Sequence, residues 1–424
     1  MSGRPGGGIG RRELLKAGAG ALGAAWMAST RGVRGAERPI RIGASLSLTG
    51  RYARTGEEQY RGYQLWVEHI NRFGASFGKE NLPNRSERGL LGRPVELVVL
   101  DDRSDPTTGV RLYNELVYRH GVDLLLGPYS SAVTNAVAPV IEQARIPTPN
   151  PMASSVGIWQ GKRLRWQVQI QPPASKRLPG VEEVAAQRGD RKVAIIYEDT
   201  EFPRDAVRAL RQRFTRAGLE IVLDQAYPAQ TTDWTPIIQQ VQRSGATVLV
   251  GGGYLPDAVG IMRALRSLRF SPNIVSLLVG VALPDFEGTL GRDALYATGD
   301  ADWVPWAGFP GNRQFVEAYR EKWGRDPEYH AAGGYAGGQI LEEAVKRVGR
   351  LDLEAIRDVM FSLDTATVFG RYKVQPLDSP DSGLQVAADR VMLQVQEQGG
   401  RLVKPVVYPP DAATASWVYP FRLA

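Results

Sequence analysis

The sequence predicts an α/β protein of two Rossmann-like lobes, each a mostly parallel sheet with helices on both faces. Three observations carry this. From residue 40 onward, short apolar runs alternate with segments of helical spacing, the order that builds parallel sheets through crossover helices. The apolar runs, such as "AIIY" and "VLVGG", are continuous rather than alternating, as strands covered on both faces are. The alternation then restarts near residue 192, and 424 residues are enough for two cores of ordinary size.

Taken in order, "IRIGASL" (40–46) reads as a short apolar strand. Residues 57–71 follow with Tyr60, Tyr63, Leu65, Val67 and Ile70 on one helical side. "VELVVL" (95–100) is the next strand. A helix then opens with Asp105 as cap and Pro106 at its first position, and stops at Gly121. "VDLLLG" is a strand, 130–143 a helix, and "IPTPNP" a short strand or edge. The second run gives strands at 192–197, 220–227, "ATVLVGG" and "NIVSLL". Its helices fall at 203–216, closed by Gly218, then 234–243 and 256–269. Two further helices are expected at 311–323 and 335–348, and the tail beyond 369 turns to short strands and turns.

Residues 1–36 read as a signal peptide. Arg11 and Arg12 precede an apolar run from Leu14 to Ala28 rich in small residues. The arginine pair, with Leu14, Leu15 and Lys16 after it, resembles a twin-arginine export signal. Gly10 stands where Ser or Thr is usual, and Leu14 where Phe is usual. The alternatives are an ordinary Sec signal or an uncleaved anchor, although the run is short for a membrane span. Cleavage is expected between residues 25 and 36.

Composition excludes several functions. The chain has no cysteine, so it has neither disulfides nor a Cys nucleophile, and it lacks the Cys that bacterial lipid attachment requires. A soluble periplasmic protein is expected. The net charge of +7 is interspersed, without a basic stripe carrying aromatics, which argues against nucleic acid. The three histidines, His69, His120 and His330, are scattered, His330 in a late loop without an evident partner, and no Gly-x-Ser-x-Gly elbow exists. No catalytic residue, metal site or cofactor is expected. "DDRSDP" is better used for a strand end and a helix cap than for a metal. "GGGY" lacks the spacing of a dinucleotide fingerprint.

The binding chemistry gathers at strand ends. In "LLLGPYSSAVTNAVAP" an apolar strand runs through Gly127 into Tyr129, Ser130 and Ser131 at a helix start. "VLVGGGYLPD" repeats the design in the second lobe with Tyr254. Ligands of open parallel sheets sit beyond the carboxyl ends of the strands. There, free N–H groups of helix starts attract anions. Ser130 either caps its helix or donates to a carboxylate, and Ser131 leans to the second role. Tyr52, Phe202, Trp303 and Trp306 are aromatic residues in loops, suited either to lining a cleft or to packing on their own lobe.

These motifs carry a resemblance. Residues 40–372 resemble the periplasmic solute-binding proteins of ABC importers, branched-chain amino acid type. The matching stretches are "IGASLSLTGRYARTGEEQYRGYQLWVEHIN", "LLGRPVELVVLDDRSDPTTGV", "LLLGPYSSAVTNAVAPV", "VAIIYEDTEFPR" and "GGGYLPDAVGIMRALR". The resemblance implies the type I periplasmic binding fold, with two lobes joined by a three-strand hinge that close on a ligand. Lobe 1 would be 37–168 plus 300–366, lobe 2 169–299 plus 367–410, and 411–424 a C-terminal tail. It implies an exported, non-enzymatic, monomeric receptor in the periplasm. Its partners would be a small-molecule solute, the ABC permease and ATPase subunits, and the twin-arginine machinery. A ligand-sensing module of the same fold is the alternative.

Residue by residue, the family's carboxylate-holding serine falls on Ser131, after Tyr129 and Ser130. The positions that bind an amino-acid backbone fall on Met152 and Ser154, and the second-lobe aromatic contacts on Phe202 and Tyr254. Three departures follow. Val279 stands where amino-acid binders carry the acid for the ammonium, Thr55 replaces a first-loop Tyr, and Met152 is bulky where a small residue is usual. A buried ammonium without a carboxylate costs several kcal/mol. With Trp303 also expected at the ligand, the pocket favours a carboxylate with an apolar or aromatic body, or an amide, over a zwitterion; branched-chain amino acid binding is the alternative.

Overall fold

The computed structural model describes residues 38–84 and 88–423. The expected signal peptide lies outside the described residues. The first part runs β1 (Ile40–Leu46), α1 (Ala53–Phe73), β2 (Val95–Asp101), α2 (Pro106–Asn114), β3 (Leu124–Leu125), α3 (Ser131–Ala144), β4 (Thr148–Asn150) and β5 (Gln167–Gln169). The second runs α4 (Val181–Arg188), β6 (Lys192–Glu198), α5 (Glu201–Arg216), β7 (Glu220–Tyr227), α6 (Thr235–Arg243), β8 (Val248–Gly252), α7 (Leu255–Ser267), β9 (Ile274–Leu277), α8 (Pro284–Leu290) and β10 (Thr298–Ala301). Helices α9 (Asn312–Trp323), α10 (Tyr329–Val348) and α11 (Leu353–Ser362) follow. The chain ends with β11 (Asp364–Thr367), β12 (Gly370–Lys373), β13 (Val391–Gln394), β14 (Gln396–Gln398), β15 (Arg401–Val403) and β16 (Val406–Tyr408).

Two parallel sheets organise the molecule. One has the order β2-β1-β3, with β1 parallel to both neighbours, and is continued by the parallel pair β4-β5. The other has the order β16-β13-β10-β9-β8-β6-β7; β13 and β16 are its antiparallel edge. The central strands are buried along their length: Ile40, Ile42, Ala44 and Leu46 in β1, and Val248, Leu249 and Val250 in β8. Each of these Ile, Leu and Val side chains contributes roughly 1.5–3 kcal/mol by leaving water. No helix among the described residues is long and apolar enough to cross a membrane.

The first unit is closed by α1 lying on α10. The packing is tight because α10 carries Gly338, where a Cβ would stand 2.1 Å from the Trp66 ring. Glu342 of α10 accepts from the Trp66 indole at 3.1 Å and pairs with Lys346 at 2.5 Å, and the Lys346 ammonium also donates to the Gly74 carbonyl at the end of α1. That satisfies an orphan carbonyl and sets a cation at the negative end of the helix.

Several elements differ from the sequence reading. Helix α1 starts four residues before 57, since "ARTG" has no apolar periodicity to announce it. The helix from Pro106 passes into a π-helical turn at Glu115–Arg119 before Gly121. Helix α10 begins at Tyr329 rather than 335, so His330 is helical and not in a loop. Helices α4, α8 and α11 and strands β5 and β10 were not expected. They are short, from three to ten residues, and too brief for a clear period.

Candidate functional site

The strand–helix turns of both units meet around one narrow cavity. From the first unit, β3 is followed by Leu126 and Gly127. A Cβ on Gly127 would stand 2.7 Å from the Asn150 Cα, so only glycine lets β3 run this close to β4. Tyr129, Ser130 and Ser131 then line the cavity, with Met152 and Ser154 from the turn after β4. From the second unit come Phe202 at the start of α5, Tyr254 before α7 and Val279 after β9.

Two expected residues lie elsewhere. Tyr52 stands behind the wall, its ring 5.7 Å from Tyr129 and 4.7 Å from Tyr254. Trp303 is a correction to the expectation. Its indole N–H is taken by Asn312 Oδ1 and the Val368 carbonyl, both at 3.0 Å, and its ring packs on Phe315 at 6.0 Å. It lines a separate apolar groove beside the exposed Trp306. Thr55 is buried, its hydroxyl donating to the Tyr52 carbonyl at 3.0 Å.

Four lining residues were not foreseen: Gln171, Arg177, Tyr329 and His330. Tyr329 and His330 are the first two residues of α10. Their rings stack at 4.0 Å, and His330 meets Tyr129 edge-on at 5.3 Å. His330 Nδ1 lies 3.0 Å from Glu328 Oε1. Arg177 and Gln171 come from the connection between β5 and α4.

The electrostatics of the wall are one-sided. Residues at the starts or caps of α3, α5, α7 and α10 line the cavity, so four helix N-termini lie beside it with their partial positive charge, those of α7 and α10 beside Asp257 and Glu328. Among the described residues that line it, none is a carboxylate. Ser130 occupies the N-cap position of α3, yet its hydroxyl bonds no helix N–H; it is buried beside the Tyr52 hydroxyl. Ser131 Oγ accepts from the Ser155 N–H at 3.2 Å and keeps its own proton to donate. Burial pushes the Tyr129, Tyr254 and Tyr329 hydroxyls well above the usual phenol range, so all three remain neutral O–H groups.

Around the cavity, ion pairs join the two units. Arg51, after β1, reaches Glu198 at the end of β6 and Asp257 in α7 at 3.3 Å. Burial raises the Asp257 carboxyl, while the Tyr254 N–H and Arg51 oppose that rise. Arg54, in α1, pairs with Asp285 of α8 at 2.7 Å and with Glu328 at 3.3 Å.

Comparison with known proteins places the chain. A family model described as "Periplasmic binding protein" matches residues 39–381. A curated relative, Leu/Ile/Val-binding protein homolog 7 of Brucella suis biovar 1 (strain 1330), is 27% identical over 405 residues, covering 91% of this chain and 95% of that protein. Among solved structures, a leucine binding protein LivK from Thermotoga maritima MSB8 aligns with TM-score 0.74 and 21% identity over 88% of this chain and 99% of its own. A solute binding protein of an ABC transporter from Rhodopseudomonas palustris BisB5, in complex with 3,4-dihydroxy benzoic acid, aligns with TM-score 0.74 and 22% identity over 89% and 99%.

Proposed function

This chain belongs to the periplasmic binding protein family, and from that premise we propose that it is an extracytoplasmic receptor that closes on a small organic solute and delivers it to an ABC permease. The family and the curated relatives are binding proteins, not enzymes. The lobes would divide at 168/169, 299/300 and 366/367, with the cavity between them as the ligand site. Binding would shift an open–closed equilibrium, because only the closed form lets both lobes touch the ligand. The receptor would cross the inner membrane through the twin-arginine machinery, lose its leader, and act in the periplasm as a monomer.

The ligand we propose is a carboxylate with an apolar or aromatic body, or an amide. One observation supports this above the rest: four helix N-termini lie beside a cavity whose described lining carries hydroxyls and aromatic rings but no carboxylate. An anion or a carbonyl finds donors there; an ammonium finds no acid. The relative that holds 3,4-dihydroxy benzoic acid fits this reading. A branched-chain amino acid is the second reading, favoured by the leucine binding relative and by the Leu/Ile/Val-binding name of the curated one.

Calorimetric titration with benzoate, a short aliphatic amide and leucine separates the two. The expected result is saturable heat from the acid or the amide and none from leucine. Tight leucine binding alone would reject the carboxylate or amide. In the same assay Ser131→Ala is expected to weaken binding roughly ten- to a hundredfold, the value of one hydrogen bond to an anion. The melting curve should stay two-state and shift little. Unchanged affinity would leave Ser131 as a helix-start residue only.

A further inference from the structure

We infer that Arg177 is the residue that makes this cavity select organic acids over the corresponding amides; the inference rests on the carboxylate reading above and deepens it. Arg177 is 1% exposed and lines the cavity. Its backbone is held in a short 3-10 turn, with its N–H donating to the Ala174 carbonyl at 3.1 Å and its carbonyl accepting from Arg213 at 2.6 Å. The guanidinium is then fixed from behind. Nη1 donates to Asp300 Oδ2 at 2.9 Å, Nη2 lies 3.6 Å from Asp302, and the group rests on the Phe202 ring at 5.0 Å.

Asp300 and Asp302 are not Arg177's alone. Both also pair with Arg390, and Gln171 donates to Asp302 at 2.6 Å. Two acids therefore serve two arginines, and Arg177 receives the smaller share. Its Nε is buried without a partner. The hydroxyl of Ser130 is buried on the same wall. Both residues line the one cavity, so it holds two donors suited to an acceptor, and one belongs to a cation whose two acids are shared with a second arginine. A carboxylate meets both needs. An amide of the same shape offers a single carbonyl and brings an NH2 group that has no acid to receive it.

Paired probes of equal shape test this: benzoate with benzamide, and 4-methylpentanoate with 4-methylpentanamide. Affinities are measured on the mature protein for wild type, Arg177→Gln and Arg177→Lys. Gln keeps an N–H donor toward Asp300 and removes the charge. The acid-over-amide preference is expected to fall about thirtyfold in Arg177→Gln and to recover in part in Arg177→Lys. If Arg177→Gln does not fold, Arg177→Gln with Asp302→Asn keeps the charge balance and is read the same way. Equal loss for acid and amide, or full preference retained, overturns the role of Arg177 while leaving the carboxylate reading. Binding of neither acid by the wild type overturns the carboxylate reading and this inference with it.

Discussion

Arg51→Met is expected to weaken ligand binding a hundredfold or more while leaving the ligand-free protein folded. Arg51 is the cation between Glu198 and Asp257, which are 0% and 2% exposed. Removing one partner of a buried ion pair costs about 3–5 kcal/mol, because the remaining charge is left without water or counterion. Here two carboxylates would be left facing each other. The protein has a way out that a core does not. Arg51 follows β1 of one sheet, whereas Glu198 ends β6 of the other and Asp257 lies in α7, the helix after β8 of that sheet. On the proposed closure, parting the two units would hydrate the carboxylates, so the penalty would fall on closure and not on folding. A closure penalty of about 3 kcal/mol reads as roughly two orders of magnitude in Kd. Calorimetry gives the affinity, and small-angle scattering with ligand gives the fraction closed. Restoring charge balance with Glu198→Gln in the Arg51→Met background should recover much of the loss. An Arg51→Met protein that binds and closes like the wild type would show that the bridge plays no part in closure.

Arg390→Met is expected to act the other way, costing about 3–5 kcal/mol of folding stability. Arg390 is fully buried and pairs with Asp300 and Asp302. Burial, helped by the like charge of Arg177, pushes its guanidinium well below the usual range, and Asp300 opposes that push. All three residues sit within one sheet unit, where Ala301 of β10 lies opposite Val391 of β13. The β10–β13 ladder ties the two aspartates to Arg390 across the proposed 299/300 boundary, so parting of the lobes does not hydrate them. The expected observation is a melting transition several degrees lower with an unchanged denaturant m-value. Arg390→Met combined with Asp300→Asn should regain part of the loss. An unaltered midpoint in Arg390→Met would contradict this account.

The two arginines illustrate what sequence could and could not show. The strand end and helix start at Gly127–Ser131, the glycines before Tyr254, and Phe202 after "YEDT" were legible because each lies within a few residues of its strand. Strand, turn and helix start are local, and their chemistry is written in consecutive positions. Arg177 stands in "ASKRLPG", which reads as a solvated turn; its acids are 123 and 125 residues away, and only the fold brings them together. His330 was hidden for a different reason. "YHAAGGYAGG" has small residues where a helix usually shows an apolar stripe, because α10 needs glycine to approach α1. Trp303 erred in the opposite direction: an aromatic ring in a loop suits a cleft, but Asn312 and Val368 satisfy its N–H inside the core.

The bridge of Arg51, Glu198 and Asp257 touches neither Ser131 nor Arg177, and meets the cavity wall at Tyr254, whose N–H donates to Asp257 at 2.9 Å. On the proposed closure, every cargo that fits would draw on the same closing energy, and cargoes would differ in what they gain from the rest of the wall. A descendant of this chain would then change diet by altering lining positions such as Met152 or Val279 while inheriting the closing bridge intact.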